Sequence, residues 1–369
     1  MTPLHVGLDL HHLGTRQTGN QTYVRELATA LAEEAAPDLT LTGYVAGPVS
    51  DPPPLRLEPL RPSARWLRLP WSLPRALARD RVDVAHLPYI VPGRCPCPAV
   101  ITVHDISYEP HPEFFRRADV ARWRRLVPRS CRAAAHVITV SEHSRQDLAE
   151  RYGVPAEKLT VTPEAPGRAF RRIEDEGAVA EAGARHGSGR PWVLGLGNLA
   201  PRKNLERVVA AFGAASTDGH LDHDLLLVGP DAGSRSAVSE AARRAGVADR
   251  VHVTGWIDLA ELVLLLNGAT ALAYPSLYEG FGLPVVEAMA CGTPVITSDV
   301  SALPETAGGA ALLVDPTDTE DLAHALGRVA GDADLAADLR ARGLSRAAEL
   351  SWRRTALLTA DVYRRVAGR

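Results

Sequence analysis

Short apolar runs rich in β-branched residues alternate along the chain with stretches in which apolar positions recur every three or four residues. One series of runs lies at 6–10, 39–45, 82–86, 100–104, 137–141 and 159–162. A second lies at 192–197, 225–229, 251–255, 271–274, 294–297 and 312–315. Runs this continuously apolar predict strands covered on both faces. Helical periodicity predicts helices over 21–34, 142–152, 205–212, 259–267 and 285–290. Strands alternating with helices predict parallel, doubly wound α/β sheets. The series pauses between 162 and 191, where Pro163, Pro166, an acidic run at 174–176 and the segment HGSGR predict a linker. Two Rossmann-like domains follow from this pattern, residues 1–168 and 191–350, joined by a linker at 169–190. A last amphipathic helix, 351–369, is expected to pack back on the first domain. Doubly wound sheets bind ligands beyond the carboxyl ends of their strands, so the two domains are expected to face each other across a cleft.

Composition narrows the function classes. Of 369 residues, 46% are hydrophobic and 23% charged, the mix of an ordinary globular protein rather than a disordered or fibrous one. The net charge is −3, and residues 1–170 carry 21 basic against 18 acidic side chains. Neither domain is basic enough to predict nucleic-acid binding. Only two of the 41 basic residues are lysines, Lys158 and Lys203, so a lysine at a strand end carries more weight than an arginine. The chain shows no signal-like opening, no apolar stretch of about 18 residues, and four cysteines without a disulfide or zinc spacing. The expected setting is cytoplasmic.

Two segments carry most of the chemistry. In YPSLYEGFGLPVVEAMACGTPVIT, residues 274–297, a strand ends and delivers Glu279. Gly280 and Gly282 remove β-carbons just before Pro284, where a helix should begin. The amides of Gly280, Phe281, Gly282 and Leu283 are then expected to form an anion-seeking helix start. Glu287 follows Glu279 by eight positions; two carboxylates there are poor phosphate ligands but good acceptors for sugar and ribose hydroxyls. The segment GLGNLAPRKN, residues 195–204, runs from a strand through Gly197 and Asn198 to Arg202 and Lys203. An adjacent guanidinium and ammonium suit a diphosphate. In the first domain, His104 closes a strand, with His11, His12 and His86 at similar edges. The turn HHLGTRQTGNQTY brings Gly19 to a helix start but lacks the G-x-G-x-x-G dinucleotide fingerprint.

Glu279 and Glu287 within EGFGLPVVEAMACGTPVI, and Arg202–Lys203 within GNLAPRKNL, resemble the hallmark motifs of retaining GT-B glycosyltransferases of family four. The likeness extends through TGNQTYVREL, TVHDISY, ITVSEHSRQDL and SWRRTA. One position departs: the family commonly has a second glycine where this chain has Gln21. The resemblance implies a GT-B fold and a nucleotide-sugar donor. It places Arg202 and Lys203 on the diphosphate, Glu279 against the transferred sugar and Glu287 on the ribose. Amides at Phe281–Leu283 would meet sugar or phosphate, and Gly19 would add an amide from the other domain. His104 would sit at the reacting carbon, and Gly255, Trp256 and Ile257 would border the base. Front-face displacement is the implied route to retention.

Neither metal nor cofactor is expected. Asp222–His223–Asp224 matches a metal-binding string but precedes its strand, and Asp332–Asp334 falls in an Ala-rich helical stretch. GDP-mannose is the favoured donor, with Asp258 either reading guanine or capping the next helix. A UDP-hexose donor, a sugar-nucleotide epimerase and a non-catalytic nucleotide-sugar-binding protein remain alternatives. The acceptor is expected to be a glycan or lipid-linked sugar. RWLRLPW at 65–71, and Trp123 among seven arginines over 114–132, predict peripheral contact with the inner membrane face, set against plain solvated helix faces.

Overall fold

The computed structural model describes residues 3–14, 19–34, 38–217, 219 and 221–369. The chain divides into two compact units, Met1–Glu164 with Ser351–Arg369, and Ala165–Leu350.

In the first unit, seven strands form one parallel sheet. They are β1 (Leu4–Asp9), β2 (Leu39–Val45), β3 (Arg56–Pro59), β4 (Val84–Pro88), β5 (Ala99–Thr102), β6 (His136–Thr139) and β7 (Leu159–Val161). Their spatial order is β3-β2-β1-β4-β5-β6-β7, so the direction of winding reverses between β1 and β4. β3, short and half-exposed, is an edge strand with none of the apolar continuity of its neighbours. The core is apolar on both faces, with Tyr44, Leu73, Leu77, Ile101, Ile106 and Leu148 almost wholly buried. The helix Trp352–Val366 packs on the helix Gly19–Glu34. Ion pairs Arg353–Glu34 at 2.9 Å and Arg364–Asp38 at 2.8 Å fix its two ends.

The second unit repeats the plan with β8 (Trp192–Leu196), β9 (Asp224–Val228), β10 (Val251–Gly255), β11 (Ala271–Tyr274), β12 (Val295–Ser298) and β13 (Leu312–Val314). The order β10-β9-β8-β11-β12-β13 reverses between β8 and β11. Residues 169–190 contain no strand, yet they are packed chain rather than a bare connection. Asp175, whose side chain accepts from Ala178 N–H at 2.9 Å, caps a helix over Glu176–His186. That helix lies on the ring of Trp192: a β-carbon at Gly183 would stand 2.2 Å from the indole. Asn267 holds the preceding segment, accepting from Ile173 N–H at 2.8 Å and donating to Arg171 O at 2.9 Å.

Candidate functional site

In an open parallel sheet, the loops leaving the two strands at the reversal diverge and leave a crevice. In the second unit those strands are β8 and β11. β8 runs into Gly197 at φ +135°, a backbone state that favours glycine. The Gly197 carbonyl crosses Gly229 so closely that a β-carbon there would come within 1.9 Å of it. Asn198 is exposed, and Leu199 bridges to Asp231. The chain then tightens into the turn Pro201–Lys203, closed by Asn204 at φ +58°. The Asn204 amide donates to Pro275 O at 3.1 Å and Pro316 O at 2.7 Å, which pins this turn to the loop after β11.

That pinning brings Arg202 and Lys203 onto Glu279. Lys203 Nζ lies 2.6 Å from Glu279 Oε1, and Arg202 Nη1 2.7 Å from Oε2. Oε1 also accepts from the hydroxyls of Tyr274 at 2.9 Å and Ser276 at 2.5 Å. Glu279 N–H donates to Ser301 Oγ at 3.0 Å. Burial alone would push the Glu279 carboxyl up. The charges of Arg202 and Lys203, with hydrogen bonds from Lys203 and Ser276, outweigh it and hold the group at about 2. Glu279 is therefore an ionised acceptor that orients two cations, not a proton donor. Burial, then the neighbouring carboxylate, pushes the Tyr274 phenol well above its ordinary value and keeps it a neutral donor. Both cations thus face the crevice from fixed positions on one carboxylate.

The helix Leu283–Ala290 starts at Gly282, left-handed at φ +103°. Pro284 contributes no N–H, and Val285 N–H turns back to Gly282 O at 2.9 Å. That uses up the Val285 amide; the residues before it, Gly280, Phe281, Gly282 and Leu283, are all buried. Thr306 anchors the loop by donating to Phe281 O at 2.6 Å. Glu287 is a buried carboxylate one turn into the helix. At the end of β10, Gly255 is left-handed at φ +75°, Trp256 is half-exposed and Ile257 packs on the core. Asp258 caps the helix Leu259–Gly268, accepting from Glu261 N–H at 2.8 Å.

In the first unit the reversal lies between β1 and β4, and three histidines gather near it. A cavity of about 30 Å³ is lined by Asp9, His12, Tyr23, His86, Thr102 and His104 among others. His104, two residues beyond β5, has Nδ1 3.0 Å from Glu164 Oε1. The Tyr23 ring stands edge-on to it, centroids 4.5 Å apart. His86 sits between the hydroxyls of Thr102 and Tyr363 at 2.7 and 2.5 Å. Burial, then the neighbouring His104 imidazole, lowers its pKa to about 3. His12 is lowered to about 4 by burial and by His11. Asp9 pairs with Arg68 at 2.7 Å and His11 at 3.1 Å; burial would raise its carboxyl, but these partners hold it at about 2. Gly19 begins the helix Gly19–Glu34, while residues 15–18, just before it, lie outside the described residues.

Tyr274, Ser276, Asp9, Arg68 and Glu164 escape the motif reading. Tyr274, the last residue of β11, and Ser276, in the loop after it, lie five and three positions before Glu279, a spacing that could have marked them. Asp9 and Arg68 are 59 positions apart with no local signal. Asp222 is exposed and Asp224 is buried at the opening of β9, accepting from the Ser188 hydroxyl, so the Asp-x-Asp string is structural. Asp332 is a helix cap. Among the described residues, no group of three or more His, Cys, Asp or Glu is arranged to hold a metal ion. Nor is any described helix long and apolar enough to cross a membrane.

The sequence profile described as Glycosyltransferase Family 4 matches residues 18–165, and that described as Glycosyl transferases group 1 matches residues 190–332. The chain is 29% identical to the O-antigen chain mannosyltransferase B of Escherichia coli, over 84% of this chain and 81% of that one. It is 30% identical to the D-inositol 3-phosphate glycosyltransferase of Nocardia farcinica, over 88% and 75%. The solved structure of sucrose-phosphate synthase from Thermosynechococcus elongatus superposes with a TM-score of 0.80 at 25% identity, covering 98% of both chains.

Proposed function

The chain belongs to glycosyltransferase family 4, retaining hexosyltransferases of GT-B fold, and from that premise we propose that it transfers mannose from GDP-mannose to a glycan or lipid-linked acceptor. Likeness to the E. coli O-antigen mannosyltransferase supports the choice of mannose. The paired cations on Glu279 support a nucleoside diphosphate sugar. In transfer, the bond between the anomeric carbon and the β-phosphate oxygen breaks and its electron pair stays on the phosphate. Arg202 and Lys203, already oriented, stabilise that charge without reorganising, so the step needs no metal.

In this reading, Asn198 and amides within Phe281–Leu283 take the remaining phosphate and sugar oxygens, while Gly197, whose own N–H donates to Val228 O at 2.9 Å, and Gly280 supply the turns that let the backbone approach. Glu287 accepts from the ribose hydroxyls, and Gly255, Trp256 and Ile257 border the base. Gly19 and His104, of the first unit, serve the transferred sugar. The acceptor oxygen attacks from the face the phosphate leaves, and its proton passes to the departing phosphate oxygen, giving retention.

A UDP-hexose is the second reading, and one observation favours it. Asp258, the side chain put forward to read guanine, is already engaged as a helix cap. Calorimetry of the wild-type protein with GDP and with UDP separates the two: tighter binding of UDP sinks the GDP-mannose assignment. A labelled-sugar transfer assay then tests the chemistry. Release of a free epimerised sugar in place of a glycoside would make the protein an epimerase. Loss of transfer in EDTA, restored by manganese, would overturn metal independence.

A further inference from the structure

We propose that Glu164 is a positioning residue that holds His104 in a single tautomer, with the proton on Nδ1 and the lone pair on Nε2, so that His104 accepts a hydrogen bond from a sugar hydroxyl. The inference rests on the reading that His104 serves the transferred sugar.

The geometry is specific. An ionised carboxylate only accepts hydrogen bonds. Glu164 Oε1 lies 3.0 Å from Nδ1, too close for two lone pairs to face each other, so a proton belongs between them; carried on Nδ1 of a neutral imidazole, it leaves the acceptor at Nε2. The ring is held from several sides. Ser144 donates to the His104 carbonyl at 2.8 Å, fixing the backbone. Tyr23 stands edge-on at 4.5 Å, and Tyr89 lies tilted at 5.9 Å. Glu164 is itself held firmly, only 5% exposed and three residues beyond β7. Thr162 N–H donates to Thr139 O at 2.8 Å, and the Thr355 hydroxyl donates to Pro163 O. A buried carboxylate needs a partner, and among the described residues Glu164 pairs with His104.

The carboxylate matters because the tautomer decides what the imidazole can do. With the proton on Nε2 instead, the same ring would present a donor, and a substrate hydroxyl would have to turn its lone pair toward it. A carboxylate behind an imidazole fixes this choice in advance, as in hydrolytic triads.

Nitrogen-15 NMR of the full-length protein labelled at histidine reads the tautomer directly. The wild type should show His104 protonated at Nδ1. Glu164→Ala should shift it toward the Nε2–H form that an unpartnered histidine prefers. Turnover should fall roughly 100-fold, the scale of a misplaced catalytic contact, with the donor KM nearly unchanged. Glu164→Asp, which keeps the charge, should recover part of the rate and much of the wild-type tautomer. It also guards against a folding defect in the alanine variant. An unchanged tautomer in a folded Glu164→Ala protein overturns the proposal. A shifted tautomer with undiminished turnover upholds the positioning role of Glu164 and refutes instead the role given to His104.

Discussion

Lys203 and Glu279 are 76 positions apart in the chain and meet at 2.6 Å. The contact joins the loop after β8 to the loop after β11, across the point where the second sheet reverses. It also fixes the ammonium group before any phosphate arrives. Lys203→Ala should therefore cost about 2–4 kcal/mol of transition-state stabilisation, the scale for removing one preoriented donor. The fold should survive, because Glu279 keeps Arg202, Tyr274 and Ser276 as partners. Steady-state kinetics beside a thermal melt tests both halves; an unchanged kcat/KM would remove Lys203 from the chemistry.

Two glycines in this unit share a left-handed backbone but differ in what surrounds them. Gly229 meets the Gly197 carbonyl, whereas nothing lies within 4 Å of a β-carbon at Gly255. Gly255→Ala should cost about 1 kcal/mol, from backbone strain alone. Gly229→Ala should cost about 3 kcal/mol or more, since strain and a backbone clash add. Denaturant titration of the two variants side by side reads the difference. Equal destabilisation would mean the β8–β9 approach is looser than the structure has it.

Acid should weaken the first unit before its carboxylates titrate. His86, His12 and His136 are held neutral by burial, at about 3, 4 and 4. Each folded value lies below the ordinary 6.5, so the unfolded chain takes up protons that the folded one refuses. Stability is then lost as pH falls below about 6.5, and the loss continues toward 3–4. His86→Asn should be less stable than wild type at neutral pH, yet fall less between about pH 6.5 and 4. Melts across that range test it; parallel curves for the two proteins would show that His86 is not held neutral.

The peripheral-membrane expectation has a physical handle in the first unit. Trp66 is 75% exposed, and Trp71, 45% exposed, carries the Arg75 guanidinium 3.8 Å over its ring. Indole and guanidinium together suit the interface of an anionic leaflet. Replacing both tryptophans with alanine should reduce cosedimentation with phosphatidylglycerol vesicles and leave donor binding intact. Equal sedimentation of variant and wild type would assign the patch to solvent.

The strands were the most legible part of the sequence, because a strand covered on both faces has to be apolar throughout. β3 was not visible: Arg56–Pro59 is polar and half-exposed, and among the described residues it pairs with β2 alone. The helix Glu176–His186 was hidden for a related reason. Its acidic start and small residues read as a polar connection, while the residue it packs on, Trp192, lies downstream. Arg202, Lys203 and Glu279 were legible as types at strand ends. That Glu279 is saturated by the two cations was not, since it depends on the Asn204 amide tying the two loops together. Asp9–Arg68 and His104–Glu164 are buried pairings made by the tertiary fold, and no local spacing announces them.

The return of Ser351–Arg369 to the first unit sets an order on biosynthesis. As the ribosome extends the chain, the first sheet emerges early, but Tyr363, which closes over His86, is made only after the whole second unit. The second unit is continuous, so it can finish folding while the first still waits for its last helix. Until then the groove on Gly19–Glu34 that receives Trp352–Val366 stays uncovered, and the nascent first half is the stretch most in need of a chaperone.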